Sequence, residues 1–200
     1  MDDGVAHSRK FSHTYVVFVV LCTDTGFGVI QKHVVEQAFR AVDRRFFVPQ
    51  DHLDVAYSDQ PLRDGHLHIS APHIYGCVVE ALEVEPAMSF LNIGSGTGYV
   101  SAIVGQLLGP TGSSFGVEIH QETVDHCLAS MQRWEDATTG QLQLPYTKFI
   151  HGNGLQIDVT KGEAAIGFHR IYVGASISNK QLTQLVHLLR VGGVLVGPGT

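Results

Sequence analysis

Glycine stands at every second position of Leu91-Asn92-Ile93-Gly94-Ser95-Gly96-Thr97-Gly98, directly after an apolar run and directly before a helical pattern. A strand-to-helix turn with so little side chain lets a ligand approach the backbone and the amide end of the helix. Spacing narrows the ligand. A dinucleotide turn needs its third glycine at 99, where Tyr99 stands. The alternating form suits a nucleoside-type ligand such as S-adenosylmethionine. Glu118 ends the next apolar run, where a carboxylate can accept hydrogen bonds from ribose hydroxyls. His151-Gly152-Asn153-Gly154 ends a third run with another glycine-flanked polar residue, which reads equally well as a plain turn. The pairs His66/His68 and His120/His126 lack a ligand spacing with Cys or carboxylate partners, so no metal is expected.

The elements that must position these residues follow from periodicity. Strands are predicted over 88–93, 114–119, 146–151, 169–173 and 193–196, alternating with helices that the stripes Val100/Ile103/Val104/Leu107, Val124/Cys127/Leu128/Met131 and Leu182/Leu185/Val186/Leu189 mark. That alternation is the signature of βα units on a mostly parallel sheet with flanking helices. An amphipathic helix is predicted from Val34 to Val42, and residues 50–70 read as an extended crossing loop. Ser70-Ala71-Pro72 reads as a helix start, with Ser70 as its hydroxyl cap. The apolar run Tyr15 to Cys22 is too short for a membrane span, which needs about 18 residues, and reads as a signal-type segment, a buried strand or a locally non-native stretch.

Composition excludes several classes. A chain of 200 residues with 44% hydrophobic and 16% charged residues is globular rather than disordered. Thirteen basic against 19 acidic residues leave no electrostatic footprint for nucleic acid. Cys22, Cys77 and Cys127, odd in number and far apart, are expected to form no disulfide framework, which points to a reducing, cytoplasmic setting.

The order Ile69-Ser70-Ala71-Pro72-His73, then the glycine run, Gly116-Val117-Glu118, Gly152-Asn153-Gly154, Val173-Gly174-Ala175 and Val191-Gly192-Gly193 resembles the protein-L-isoaspartate O-methyltransferases. The likeness covers 28–200, with 1–27 a divergent N-terminal segment, and is closest to the isoaspartate methyltransferase domain-containing subgroup. It implies a Rossmann-like S-adenosylmethionine-dependent methyltransferase fold. By position, it implies Ser70 as active-site serine and Leu67, His68, Ile69, Ser70 and Tyr75 around the substrate. Gly94, Ser95, Gly96 and Thr97 would meet the methionine part of the donor, Glu118 the ribose, and Asn153 with Gly154 the adenine edge. The implied reaction methylates isoaspartyl α-carboxylates in damaged proteins. The alternative is a non-catalytic donor-binding recognition module, as in ubiquitin-ligase substrate adaptors; a small-molecule methyltransferase is a third option. Asn92 and Asn153 are amides where the family is usually acidic, implying a weaker hold on the donor. The family's last strands have no counterpart after Gly197-Pro198-Gly199-Thr200, so the sheet is expected to expose an edge there that a partner would have to cover.

Overall fold

A computed structural model describes residues 7–11, 15–20, 29–138, 143–157 and 166–198, the first two stretches as backbone. The elements in chain order are β1 (His7–Phe11), β2 (Tyr15–Val20), α1 (His33–Ala41), β3 (Leu62–Asp64), β4 (Leu67–Ile69), α2 (Pro72–Leu82), β5 (Ser89–Ile93), α3 (Tyr99–Leu108), β6 (Ser113–Glu118), α4 (Gln121–Ala137), β7 (Tyr146–His151), β8 (Phe168–Val173), α5 (Asn179–Gln184) and β9 (Leu189–Pro198). The main sheet runs β1-β2-β9-β8-β5-β6-β7, parallel except for β1. The chain leaves β5 toward β6 and β7 on one side, then returns to β8 and β9 on the other. The strand order therefore reverses between β5 and β8, and the carboxyl ends of those strands open the crevice where such sheets take ligands.

Alternation along β5 shows how the sheet divides two cores. Phe90 packs with helices α1 to α4, whereas Leu91 and Ile93 pack with Leu182, Leu185 and Leu188 from α5 and the turn after it. Asn92 shares the Phe90 face and is the polar residue in it. Full burial of Trp134, Phe47, Ile103 and Leu108 on that face contributes roughly 1.5–3 kcal/mol each. Three polar groups on α4 then tie down the segment after α1. Trp134 Nε1 donates to the Ala41 carbonyl at 3.1 Å, Arg133 to Phe46 at 3.0 Å, and His126 Nε2 pairs with the Phe47 carbonyl at 3.2 Å.

Burial holds the His126 pKa below its ordinary value. Burial likewise lowers His169, with Arg190 and Arg170 adding to the effect. The folded protein thus binds fewer protons than the unfolded chain once the pH falls below about 6.5. Stability is expected to be level above that pH and to fall progressively below it, with a shallower fall in His126→Gln; chemical denaturation from pH 7.5 down to 5 checks both.

Several sequence expectations change. Residues 50–70 form a 3₁₀ turn, Gln50–Val55, and the antiparallel hairpin β3–β4 rather than an extended loop. The last strand starts four residues before the predicted Gly193 and continues to Pro198. The edge expected to be open beside it is covered: β2 pairs with β9 in parallel, Val16 opposite Val194 through Val20 opposite Pro198. The β-branched run Val16-Val17-Phe18-Val19-Val20 suits that position, so no separate partner is needed at that edge. Cys77 is disulfide-bonded, against the expectation of unpaired cysteines, because pairing follows proximity in the fold rather than spacing along the chain. Cys127 is a free, buried thiol, and Cys22 lies outside the described residues. Among the described residues no helix is long and apolar enough to cross a membrane.

Candidate functional site

The glycine turn joins β5 to α3 at the crevice. Gly94, Gly96 and Gly98 hold φ of +73°, +54° and +85°, a region that side-chain-bearing residues rarely occupy. The amides of Gly94 and Ser95 both donate to the Val117 carbonyl, at 2.8 and 3.1 Å, anchoring the turn to β6. A Cβ at Gly94 would lie 2.8 Å from the Ala175 nitrogen, and one at Gly98 would lie 2.6 Å from Cys127 Sγ. A Cβ at Gly96 would project toward the His68 carbonyl at 3.3 Å, across a hollow. The turn is tight because its backbone packs against the segment after β8, α4 and the β3–β4 hairpin, Gly96 being the least crowded of the three.

That hollow is lined by His68, Ser70 and Tyr75 on one side and by Asn92 and Gly94 to Thr97 on the other, with Tyr99, Val100, Tyr172 and Gly174 completing the wall. Two segments far apart in sequence, the Ile69-Ser70-Ala71-Pro72 turn and the glycine turn, thus meet around one small polar space. Ser70 is not the cap of α2, as the sequence suggested. Ala71 holds that position without a side-chain bond and Pro72 opens the helix, so the Ser70 hydroxyl is not committed to capping. Its amide donates to Tyr75 Oη at 2.7 Å and its Oγ lies 3.5 Å from His68 Nε2. Burial, reinforced by Arg63, lowers the His68 pKa, so its ring is neutral at pH 7 and brings no charge. Burial raises the pKa of Tyr75, Tyr99 and Tyr172, Tyr99 to about 12, so all three stay protonated donors.

Asn92 is 1% exposed; its Nδ2 donates to Ser101 Oγ at 3.0 Å, while its Oδ1 has no protein partner. An unpaired buried carbonyl at the wall of a polar space is a waiting acceptor. Glu118, 8% exposed, is not among the lining residues but is bonded to the turn that lines the hollow. Its Oε2 accepts from the Gly96 amide at 3.1 Å, and its Oε1 from Ile119 and His120 at 2.8 and 3.2 Å. One carboxylate therefore ties the glycine turn to the start of α4, with three donors on about four lone-pair sites.

The remaining expected site residues lie elsewhere. Leu67 is half-buried in the hairpin and Ile69 is 1% exposed within the core. Asn153 Oδ1 accepts from the Leu155 amide at 3.0 Å, capping a short turn, and a Cβ at Gly154 would collide with Ile93 Cγ2. Neither Asn153 nor Gly154 reaches the hollow. Tyr99, Val100, Tyr172 and Gly174 also line the hollow and were not among the expected site residues. Tyr172 sits next to last on β8, at the carboxyl edge where strand order reverses, and that rule would have found it. His66 stacks on His120 at 4.0 Å, leaning the hairpin tip on the start of α4.

A family model described as protein-L-isoaspartate (D-aspartate) O-methyltransferase matches residues 19–199. The chain is 33% identical over 175 residues to a Dictyostelium discoideum protein named "Probable protein-L-isoaspartate O-methyltransferase", covering 85% of this chain and 52% of that protein. It is 34% identical over 175 residues to the protein-L-isoaspartate O-methyltransferase of Methanothermobacter thermautotrophicus, covering 86% of this chain and 73% of that one. The chain thus spans about half the length of the first relative and nearly three quarters of the second. Among solved structures, a Plasmodium falciparum protein described as a protein-L-isoaspartate O-methyltransferase, in complex with S-adenosyl-L-homocysteine, superposes with a TM-score of 0.67 at 25% identity, over 84% of this chain and 77% of that one.

Proposed function

Because this chain belongs to the protein-L-isoaspartate (D-aspartate) O-methyltransferase family, we propose that it binds S-adenosylmethionine and methylates the α-carboxylate of isoaspartyl residues in damaged proteins. The observation that carries the reading is the meeting of the Ser70 hydroxyl and the glycine turn across one hollow.

The residues present fit such a donor. Gly96 borders the hollow with no Cβ to narrow it, and the orphaned Asn92 Oδ1 offers an acceptor to an ammonium or hydroxyl. Gly94 to Thr97 and Asn92 would hold the amino-acid part, with Glu118 keeping the turn in shape and offering its remaining lone pair to a ribose hydroxyl. When bound, the donor supplies an electrophilic methyl on a sulfonium. An isoaspartyl α-carboxylate, with pKa about 3.3–3.7, is ionised at pH 7 and needs no general base. The chain's task is orientation and exclusion of water. The Ser70 hydroxyl would donate to one carboxylate oxygen and leave the other free to react. No carboxylate lines the hollow to repel the substrate.

The test is methyl transfer from labelled donor to an isoaspartyl peptide, beside the same peptide with ordinary aspartate. Transfer confined to the isoaspartyl form is expected; donor binding without transfer would overturn the enzymatic reading in favour of a recognition module. In parallel, Glu118→Gln keeps one acceptor oxygen where two are in use, so either Gly96 or the α4 amides lose their partner. An affinity for S-adenosylhomocysteine lowered about tenfold is expected, measured by calorimetry, with a melting temperature a few degrees lower.

A further inference from the structure

Arg44 is 5% exposed, and its Nε and Nη1 are buried with no hydrogen-bond partner among the described residues. A guanidinium is among the costliest groups to bury, and two orphaned donors leave the cost uncompensated by hydrogen bonds. The neighbours of Arg44 are the Tyr99 and Tyr75 side chains, with the Asp59 carboxylate near enough to interact with its charge. Arg44 Cζ stands 5.5 Å from the centroid of the Tyr99 ring, and Tyr99 meets Tyr75 edge-on at 5.7 Å. Tyr75 Oη in turn accepts the Ser70 amide at 2.7 Å. Tyr99, Tyr75 and Ser70 all border the hollow, whereas Arg44 stands behind them. A buried cation thus backs the wall from which the substrate carboxylate would be held.

We infer that Arg44 is a positioning residue for carboxylate recognition, its charge strengthening Tyr75 Oη–H as a second donor, beside Ser70, to the α-carboxylate of an isoaspartyl substrate. The inference rests on the proposed function and names a residue outside the site already described. Its chemistry is direct. With its oxygen accepting from the Ser70 amide and its hydroxyl also within reach of the Ser70 side chain, the Tyr75 phenol keeps its own proton to give. A positive charge behind a phenol makes it a better donor to an anion, and the effect is large where water is excluded. Burial raises the Tyr75 pKa, while the bonds from Ser70 and the charge of Arg44 pull it down, so the phenol stays protonated but more acidic than burial alone would leave it. Among the described residues neither Arg44 nor Tyr75 is hydrogen-bonded to Gly96 or Asn92, whose partners are Glu118 and Ser101.

The experiment is a double-mutant cycle read by direct binding of a fluorescent isoaspartyl peptide, with S-adenosylhomocysteine affinity measured in parallel. Arg44→Met is expected to weaken peptide binding about tenfold while leaving the affinity for S-adenosylhomocysteine within about twofold. Arg44→Lys, which keeps the charge, is expected to recover binding to within about threefold of wild type. In a Tyr75→Phe background Arg44→Met is expected to add less than about twofold, because the group through which it acts is gone. If Arg44→Met does not fold, Arg44→Gln takes its place in the cycle. Equal losses in the methionine and lysine variants, an undiminished effect in Tyr75→Phe, or a matching loss of S-adenosylhomocysteine binding would each overturn the inference. A wild type that binds the peptide with this Arg44 dependence yet transfers no methyl overturns the enzymatic reading and leaves the role of Arg44 standing. A wild type that transfers methyl with Arg44→Met kinetics unchanged does the reverse.

Discussion

Gly94→Ala is expected to destabilise the protein by about 3 kcal/mol and to abolish binding of the donor or its demethylated product. The left-handed conformation at φ +73° costs an alanine about 1–2 kcal/mol. Its methyl would also lie 2.8 Å from the Ala175 nitrogen and 2.9 Å from the Ala175 Cβ. That neighbour is backbone, not a flexible side-chain tip. The amides of Gly174 and Ala175 donate to the Ile93 carbonyl at 2.8 and 3.3 Å, so making room pulls on the junction of β5 and β8. Overpacking of this kind adds about 1–3 kcal/mol. For a chain of this length the sum lowers the melting temperature by roughly 10 °C.

Gly96→Ala is the informative partner, because only its surroundings differ. At φ +54°, with the His68 carbonyl 3.3 Å away, it is expected to cost about 1 kcal/mol while placing a methyl in the hollow. Thermal melts with and without S-adenosylhomocysteine separate the two effects. Gly94→Ala should melt low with no ligand shift, and Gly96→Ala should melt near wild type with the shift lost. A full ligand shift in Gly96→Ala would mean that the hollow is not where the donor sits.

How far the sequence disclosed this site depends on whether a feature is local. The β5-turn-α3 unit and Glu118 were legible because strand period, glycine spacing and strand end lie within 30 residues of one another. The cap at Ser70 was misread for a local reason too: proline in the first turn fits Ala71 as the cap as well as it fits Ser70, and only the backbone path decides. What the residues could not report was long-range. Tyr99 and Tyr172 become wall residues because β8 inserts beside β5, and Arg44 becomes a buried cation because α4 pins the segment after α1 beneath Tyr99. Coverage of the β9 edge by β2 joins residues nearly the whole chain apart, and a run of valines suited to a strand does not name its partner. Asn153 and Gly154 carry local roles beside their place at a strand's carboxyl edge: Asn153 caps Leu155, and Gly154 admits the close approach of Ile93.

Ser70→Ala is expected to reduce kcat/KM for methyl transfer about a hundredfold or more while changing stability by less than about 0.5 kcal/mol. The contrast follows from the position of the hydroxyl. Were it the cap of α2, its loss would cost about 1 kcal/mol and the kinetic effect could be secondary. It is not the cap, its side chain meets only the neutral His68 imidazole at 3.5 Å and the Tyr75 phenol among the described residues, and its backbone amide, which alanine keeps, makes the 2.7 Å bond to Tyr75. What alanine removes is one donor at the wall of the hollow, where the proposed substrate carboxylate would be held with one oxygen fixed and the other free. Because the α-carboxylate is ionised throughout the neutral range, the loss should be uniform from pH 6.5 to 8.5; a loss that varied with pH would point to an acid–base role for the serine. Affinity for S-adenosylhomocysteine should stay within about twofold, since the residues proposed to hold the donor's amino-acid part, Asn92 and Gly94 to Thr97, are not altered. Steady-state transfer kinetics across that range, with melts in the presence of S-adenosylhomocysteine, decide it: a variant as active as wild type, or one that fails only because it unfolds, removes Ser70 from the chemistry.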